Sequence, residues 1–150
     1  MKREYWIVIL LAVIIAVLLG FLFWPSNKSQ APTTTNTQPT VGIQITMPKE
    51  NDWVSSPLEI SGAVSGSGWA GYEGQVGSVK LLDSNGKELA NGVLTATTDW
   101  TKLPTTFDTT LTFDPGTSEI GQLVFKNENP SGDPSKEKEY TLPIKFALGK

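Results

Sequence analysis

From residue 42 onward the chain alternates apolar and polar positions with a period of two, the pattern of strands with one face buried and one wet. Ile43, Ile45 and Met47 alternate with Gln44 and Thr46, and Leu58, Ile60 and Gly62 alternate with Glu59 and Ser61. Val79 and Leu81 flank Lys80, and a less regular run covers residues 87–97. Phe107, Thr109, Leu111 and Phe113 alternate with Asp108, Thr110 and Thr112. Leu123 and Phe125 flank Val124, and Leu142, Ile144, Phe146 and Leu148 form the last run. No window after Val41 has helical periodicity. Turn residues separate the runs: Asp83-Ser84-Asn85-Gly86, Asp114-Pro115-Gly116, and Asn129 to Pro134. In the first, Asn-Gly supplies the positive φ of a tight hairpin. Seven short strands with such turns predict an all-β, immunoglobulin-like β-sandwich over residues 42–150.

The N-terminal part follows another rule. Trp6 to Trp24 is an uncharged run in which 18 of 19 residues are apolar, Gly20 being the exception. As a helix it would span about 28 Å, the hydrocarbon thickness of a bilayer. Tyr5, Trp6 and Trp24 stand at its ends, where amphipathic rings favour the headgroup layer. Lys2 and Arg3 precede it. The expectation is one transmembrane α-helix, a signal anchor over residues 1–24, embedded in a bilayer through residues 6–24. It would sit in a bacterial plasma membrane with the N-terminus cytoplasmic and residues 25–150 outside. The run is longer than the apolar region of a cleaved signal peptide, and a lipoprotein would need a cysteine to acylate. Residues 25–41 hold only Ala31 and Val41 as apolar residues among Pro, Thr, Ser, Asn and Gln. Such a linker cannot offset its ordering entropy by burial, and as a coil it reaches roughly 20–25 Å.

Composition narrows the chemistry. The chain of 150 residues has no His and no Cys. That excludes the Ser-His-Asp triad, the cysteine nucleophile, zinc held by thiolate or imidazole, and haem ligation by histidine. Beyond residue 24 it has 10 Lys and Arg against 14 Asp and Glu, a balance that repels phosphate backbones and argues against nucleic acid. No carboxylate pair sits in a distinctive frame, so neither an enzyme nor a cofactor is expected.

Binding is the remaining chemistry. The longest polar loop runs from Asn127 to Pro134, and Asn127, Asn129 and Asp133 are its candidate ligand contacts. The other reading of this loop is a connection whose path two prolines and a glycine fix. Trp69 and Tyr72 lie in a segment with four glycines, Gly66 to Gly74. They would stack on a sugar or anchor a partner, or Trp69 would instead plug the end of the core. Trp53 and Trp100 flank strands and are expected to be partly buried at the core edge. Asp83, Asn85 and Gly86 lack the calcium-loop spacing and read as a hairpin. Asp108, Asp114, Glu119 and Asp133 would bind a hard cation only if the fold gathered them.

The body also resembles a known family. Ile43-Gln44-Ile45-Thr46-Met47-Pro48 and the segment Val54 to Gly62 look like the opening of the immunoglobulin-like domain of bacterial spore germination proteins. That domain often stands beside a GerM-type domain in cell-surface lipoproteins. Val79 to Asp83 with Gly86 to Ala90 look like its central hairpin. Trp100, Phe107 with Leu111 to Phe113, Leu123 to Phe125, Asn129 to Gly132 and Leu142 to Phe146 follow in order. The resemblance implies an extracytoplasmic, non-catalytic sandwich. This chain departs from it in having no GerM-type domain and no lipobox cysteine. The functional expectation is a membrane-anchored binding or adhesion module at the bacterial cell envelope, with an envelope protein or wall glycan as partner. The alternative is a structural accessory subunit that meets its partners through the helix.

Overall fold

The computed structural model describes residues 42–147. The expected membrane helix and the linker lie outside the described residues. Among the described residues no helix is long and apolar enough to cross a membrane.

Eight strands form: β1 (Ile43–Met47), β2 (Trp53–Val54), β3 (Leu58–Val64), β4 (Gln75–Asp83), β5 (Glu88–Ala96), β6 (Thr105–Leu111), β7 (Ile120–Asn127) and β8 (Glu139–Phe146). A 3₁₀ turn at Pro134–Lys136 precedes β8. The seven expected runs are all present, several with shifted ends. The eighth strand, β2, has two residues and is too short to show alternation.

The strands join in the order β1-β3-β6-β5-β4-β7-β8-β2. Two separate sheets were expected. Instead β5 pairs along its length with β4 and at Thr95 and Ala96 with β6, which makes one continuous sheet. The sheet curls so that both halves turn their apolar faces inward. Ile45, Ile60, Phe107 and Leu111 come from one half, and Val79, Leu81, Leu123, Phe125, Ile144 and Phe146 from the other; all join one buried cluster. Phe113, just past β6, meets Phe146 of β8 with ring centroids 5.5 Å apart, linking the two halves. Two glycines make room for the rings: a Cβ on Gly62 would lie 2.6 Å from the Phe107 ring, and one on Gly121 2.5 Å from the Phe146 ring.

The first strand segment closes both margins of the sheet. β1 pairs antiparallel with β3, and β2 pairs parallel with β8. A register shift between Ile45 and Met47 lets the chain leave one half for the other. On β8, Pro143 offers no N–H outward, and its carbonyl accepts the Asn51 N–H at 2.8 Å. Short margins, a bulge and an edge proline leave little for another strand to add to.

Register fixes the two ends of the sandwich. Gly42, Val64, Gln75, Ala96, Thr105 and Asn127 lie at the end where residue 42 enters, and Met47, Trp53, Leu58, Asp83, Leu111 and Ile120 lie at the far end. The far-end hairpin turns on Gly86 at φ +80°. There the Asp83 carboxylate accepts the N–H groups of Asn85 at 2.8 Å and Lys87 at 2.9 Å. That carboxylate holds the turn, as the hairpin reading requires.

The tryptophans separate. Trp69 is fully buried, with its indole N–H lacking a hydrogen-bond partner. It plugs the core. Trp53, expected to be partly buried, is 68% exposed, its ring under the Lys145 ammonium at 5.6 Å. The short β2 strand turns Val54 inward and leaves Trp53 outside. Urea unfolding should therefore distinguish them. Trp69→Ala is expected to cost about 3–5 kcal/mol. Trp69→Phe is expected to cost clearly less, because no indole hydrogen bond is lost. Trp53→Ala should stay within about 1 kcal/mol. Equal losses at Trp53 and Trp69 would contradict this packing.

Candidate functional site

The expected recognition loop follows β7 and is built on side-chain amides. Asn127 lies at the end of β7, so its position is fixed by the sheet. Its Nδ2 donates to the Gly68 carbonyl at 2.7 Å and the Lys136 carbonyl at 3.1 Å. Its Oδ1 accepts the Lys138 N–H at 2.8 Å. One side chain thus clamps both limbs of the loop to the glycine segment beside it. Asn129 donates to the Asp133 carbonyl at 2.9 Å and accepts the Ser131 hydroxyl at 2.8 Å. The Asp133 carboxylate accepts the Ser135 hydroxyl at 2.8 Å and the Ser135 N–H at 3.0 Å, which opens the 3₁₀ turn. These hydrogen bonds from Ser135 hold the Asp133 carboxyl below the ordinary carboxylate range. All three candidates are tied into the loop. What they shape is a cleft of about 390 Å³ between Gly68, Asn129, Pro130, Ser131, Lys136 and Lys138. A smaller hollow of about 210 Å³ adjoins it, bounded by Ser78, Lys126, Glu137 and Glu139. Lys126 and Glu139 pair at 3.5 Å.

Trp69 and Tyr72 part company. Positive φ at Gly66, Ser67 and Gly68 turns the chain inward, and Gly66 and Trp69 exchange two backbone hydrogen bonds of 3.0 Å. Trp69 therefore enters the core and offers no surface to a ligand. Tyr72 stays 43% exposed and meets Trp100 edge to face, with centroids 6.5 Å apart. Trp100 keeps 38% of its surface exposed, and Leu103 keeps 50%. Gly71 allows the approach, since a Cβ there would lie 2.6 Å from the Trp100 carbonyl oxygen. Tyr72 and Trp100 are far apart in sequence, and no local signal pairs them.

The outer faces differ in kind. Outside β1-β3-β6, the register aligns Gln44 with Ala63 and Thr106, Ser61 with Asp108, and Glu59 with Thr110. That face is mostly polar, with Met47, 50% exposed, opposite Ser61 at its far-end margin. Outside β2-β8-β7, Trp53 lies opposite Lys145, and Lys145 opposite Ile120, which is 55% exposed. Val93 on β5 is 45% exposed on the same layer. On β4 and β5, Lys80 meets Glu88 at 2.7 Å, and Asn91 donates to Glu88 at 2.6 Å. The Lys80 and Asn91 hydrogen bonds keep the Glu88 carboxyl below its ordinary value. Among the described residues no three metal-capable side chains gather, so Asp108, Asp114, Glu119 and Asp133 remain apart.

A curled sheet whose first segment pairs with the third strand and then, in parallel, with the last defines an immunoglobulin-like domain. The sequence pattern of the immunoglobulin-like domain of bacterial spore germination matches residues 42–133, and the chain belongs to that family. β8 lies past the matched segment yet supplies Leu142, Ile144 and Phe146 to the core. No curated protein and no solved structure matches the chain.

Two outcomes follow from this geometry. Asn127→Ala should cost about 1–3 kcal/mol and open the loop to limited proteolysis between residues 128 and 138; an uncut loop would contradict the clamp. The lowered Asp133 carboxyl contributes to loop order above the ordinary Asp value of about 4, and that contribution is lost as pH falls through the lower value it has in the folded loop. The Ser135 amide resonance should therefore titrate with a midpoint below that of an unstructured Asp. A midpoint at or above it would contradict the turn.

Proposed function

We propose that the chain is a membrane-anchored, extracytoplasmic, non-catalytic binding module of the bacterial cell envelope. The family supplies the domain type, and the apolar run 6–24 with the linker 25–41 supports an anchor and a stalk. The observation that carries the binding reading is the contrast between the two outer faces. Exposed Trp53 and Ile120 stand on the β2-β8-β7 side with Lys145 between them, while the opposite face is polar apart from Met47 at its margin. An aromatic anchor with a cation beside it is the composition of an interface centre. A germination role is the specific activity the family suggests; an envelope protein or wall glycan is the partner class this face suits.

The described residues 42–147 belong to one compact unit. A soluble fragment of residues 42–150 is expected to be retained by a purified wall and membrane-protein fraction. The double variant Trp53→Ala, Ile120→Ser should weaken retention by about 30-fold or more while leaving unfolding nearly unchanged. Retention that survives the double variant, or none with the unaltered fragment, would contradict the proposal.

A further inference from the structure

The end of the sandwich where residue 42 enters carries its own apolar surface, separate from the far-end Trp53 row. Tyr72, Trp100 and Leu103 stand on two loops that interlock there. Gly71 packs under Trp100, and Leu103 lies beside Gly66. Gly66 in turn abuts the entry point: a Cβ on Gly42 would lie 1.9 Å from its carbonyl oxygen. Leu103 therefore lies close to the place where the chain enters the domain, and Tyr72 and Trp100 stand on the same two loops.

We infer that this tip rests in the headgroup layer of the bilayer in which the chain is anchored, with Tyr72, Trp100 and Leu103 as its lipid contacts. The inference relies on the anchor reading above. Three observations favour a lipid surface over a soluble ligand. First, the side-chain set is that of the membrane interface, with amphipathic rings plus one aliphatic side chain. Second, the chain that leads back to residues 6–24 enters the domain at this end, through Gly42. As a coil the 17-residue linker has an r.m.s. reach of roughly 20–25 Å, which keeps residue 42 near the interface on average. A short tether gives an effective concentration on the order of millimolar, so affinity too weak to hold a free domain suffices. Third, the tip carries no excess of basic charge, since exposed Glu73 stands beside Tyr72. Lys102 pairs with Asp99 at 3.0 Å, and Thr101 and Lys102 hydrogen bonds hold the Asp99 carboxyl below its ordinary value. The contact is therefore apolar and interfacial, not an attraction of basic residues to anionic lipid. A domain seated this way presents its far end, with Trp53 and Ile120, away from the membrane.

The chain has no cysteine, so single labels are unambiguous. The full chain is reconstituted in phosphatidylcholine vesicles with an environment-sensitive dye at Ala70→Cys, exposed in the Tyr72 loop, or at Asn85→Cys in the far-end hairpin. Lipid-borne quenchers are expected to quench the first label several-fold more than the second. Adding phosphatidylglycerol should leave the ratio unchanged. Leu103→Ser, alone or with Trp100→Ser, should bring the first label toward the second. Equal quenching at both positions in protein that floats with the vesicles would overturn the tip contact while leaving the anchor intact. Protein that does not float would overturn the anchor and the tip contact together. An Ala70→Cys label that lipid leaves unquenched but soluble wall glycan shifts would overturn the proposal in favour of a sugar-stacking role.

Discussion

Everything in this domain depends on one sheet hiding its apolar face against itself. Between Gly42 and Ala147 there is no helix to cover a sheet, only a three-residue 3₁₀ turn. An alternating sequence gives each strand one apolar side, and a flat eight-stranded sheet would leave that side in water. Curling at β5 brings the halves together, and Phe113 and Phe146 close the seam. Close contact at the seam requires bare backbone at Gly62 and Gly121, where the Phe107 and Phe146 rings occupy the space of a side chain. Burial of this kind contributes about 25 cal/mol per Å² of apolar surface, so the closed core dominates stability, and the exposed ion pairs at Lys80 and Lys126 add little.

The same closure positions the surfaces proposed to interact. Because β1 and β2 are two halves of one segment, the sheet margins are short and occupied, which leaves little edge for a partner strand to pair with. Recognition is left to faces and loops. The loops at the entry end are rigid for identifiable reasons: Asn127 ties three segments together, and Trp69 pins the glycine segment into the core. Tyr72 and Trp100 are presented by that rigid frame. The far end presents Trp53 and Ile120 on β2 and β7.

Much of this was legible in the chain. Period-two alternation located the seven longer strands, since inward and outward positions at Phe107 to Leu111 or Leu142 to Phe146 differ in polarity. Asp83 to Gly86 announced its hairpin through turn chemistry. The rest depended on relations between distant residues. The two-residue β2 carries no periodicity, and the β5–β6 pairing that merges the sheets arises from curvature. Trp53 and Trp69 both sit near turns, and composition does not say which one enters the core; positive φ at Gly66, Ser67 and Gly68 decides it. Asn127, Asn129 and Asp133 read as polar loop residues, which they are, but their hydrogen bonds hold the loop itself. The Tyr72–Trp100 contact spans two loops and left no trace in local sequence.

The central claim is that a closed sandwich turns one end to the bilayer and offers one face to an envelope partner. Hydroxyl-radical footprinting of the full chain tests it most directly, comparing lipid vesicles alone with vesicles plus purified envelope. The account predicts that Tyr72 and Trp100 are protected in both, that Trp53 and Ile120 are protected only with envelope, and that Thr106 and Asp108 stay reactive throughout. Protection of the Thr106 face, or undiminished reactivity of both aromatic surfaces in both conditions, would contradict it.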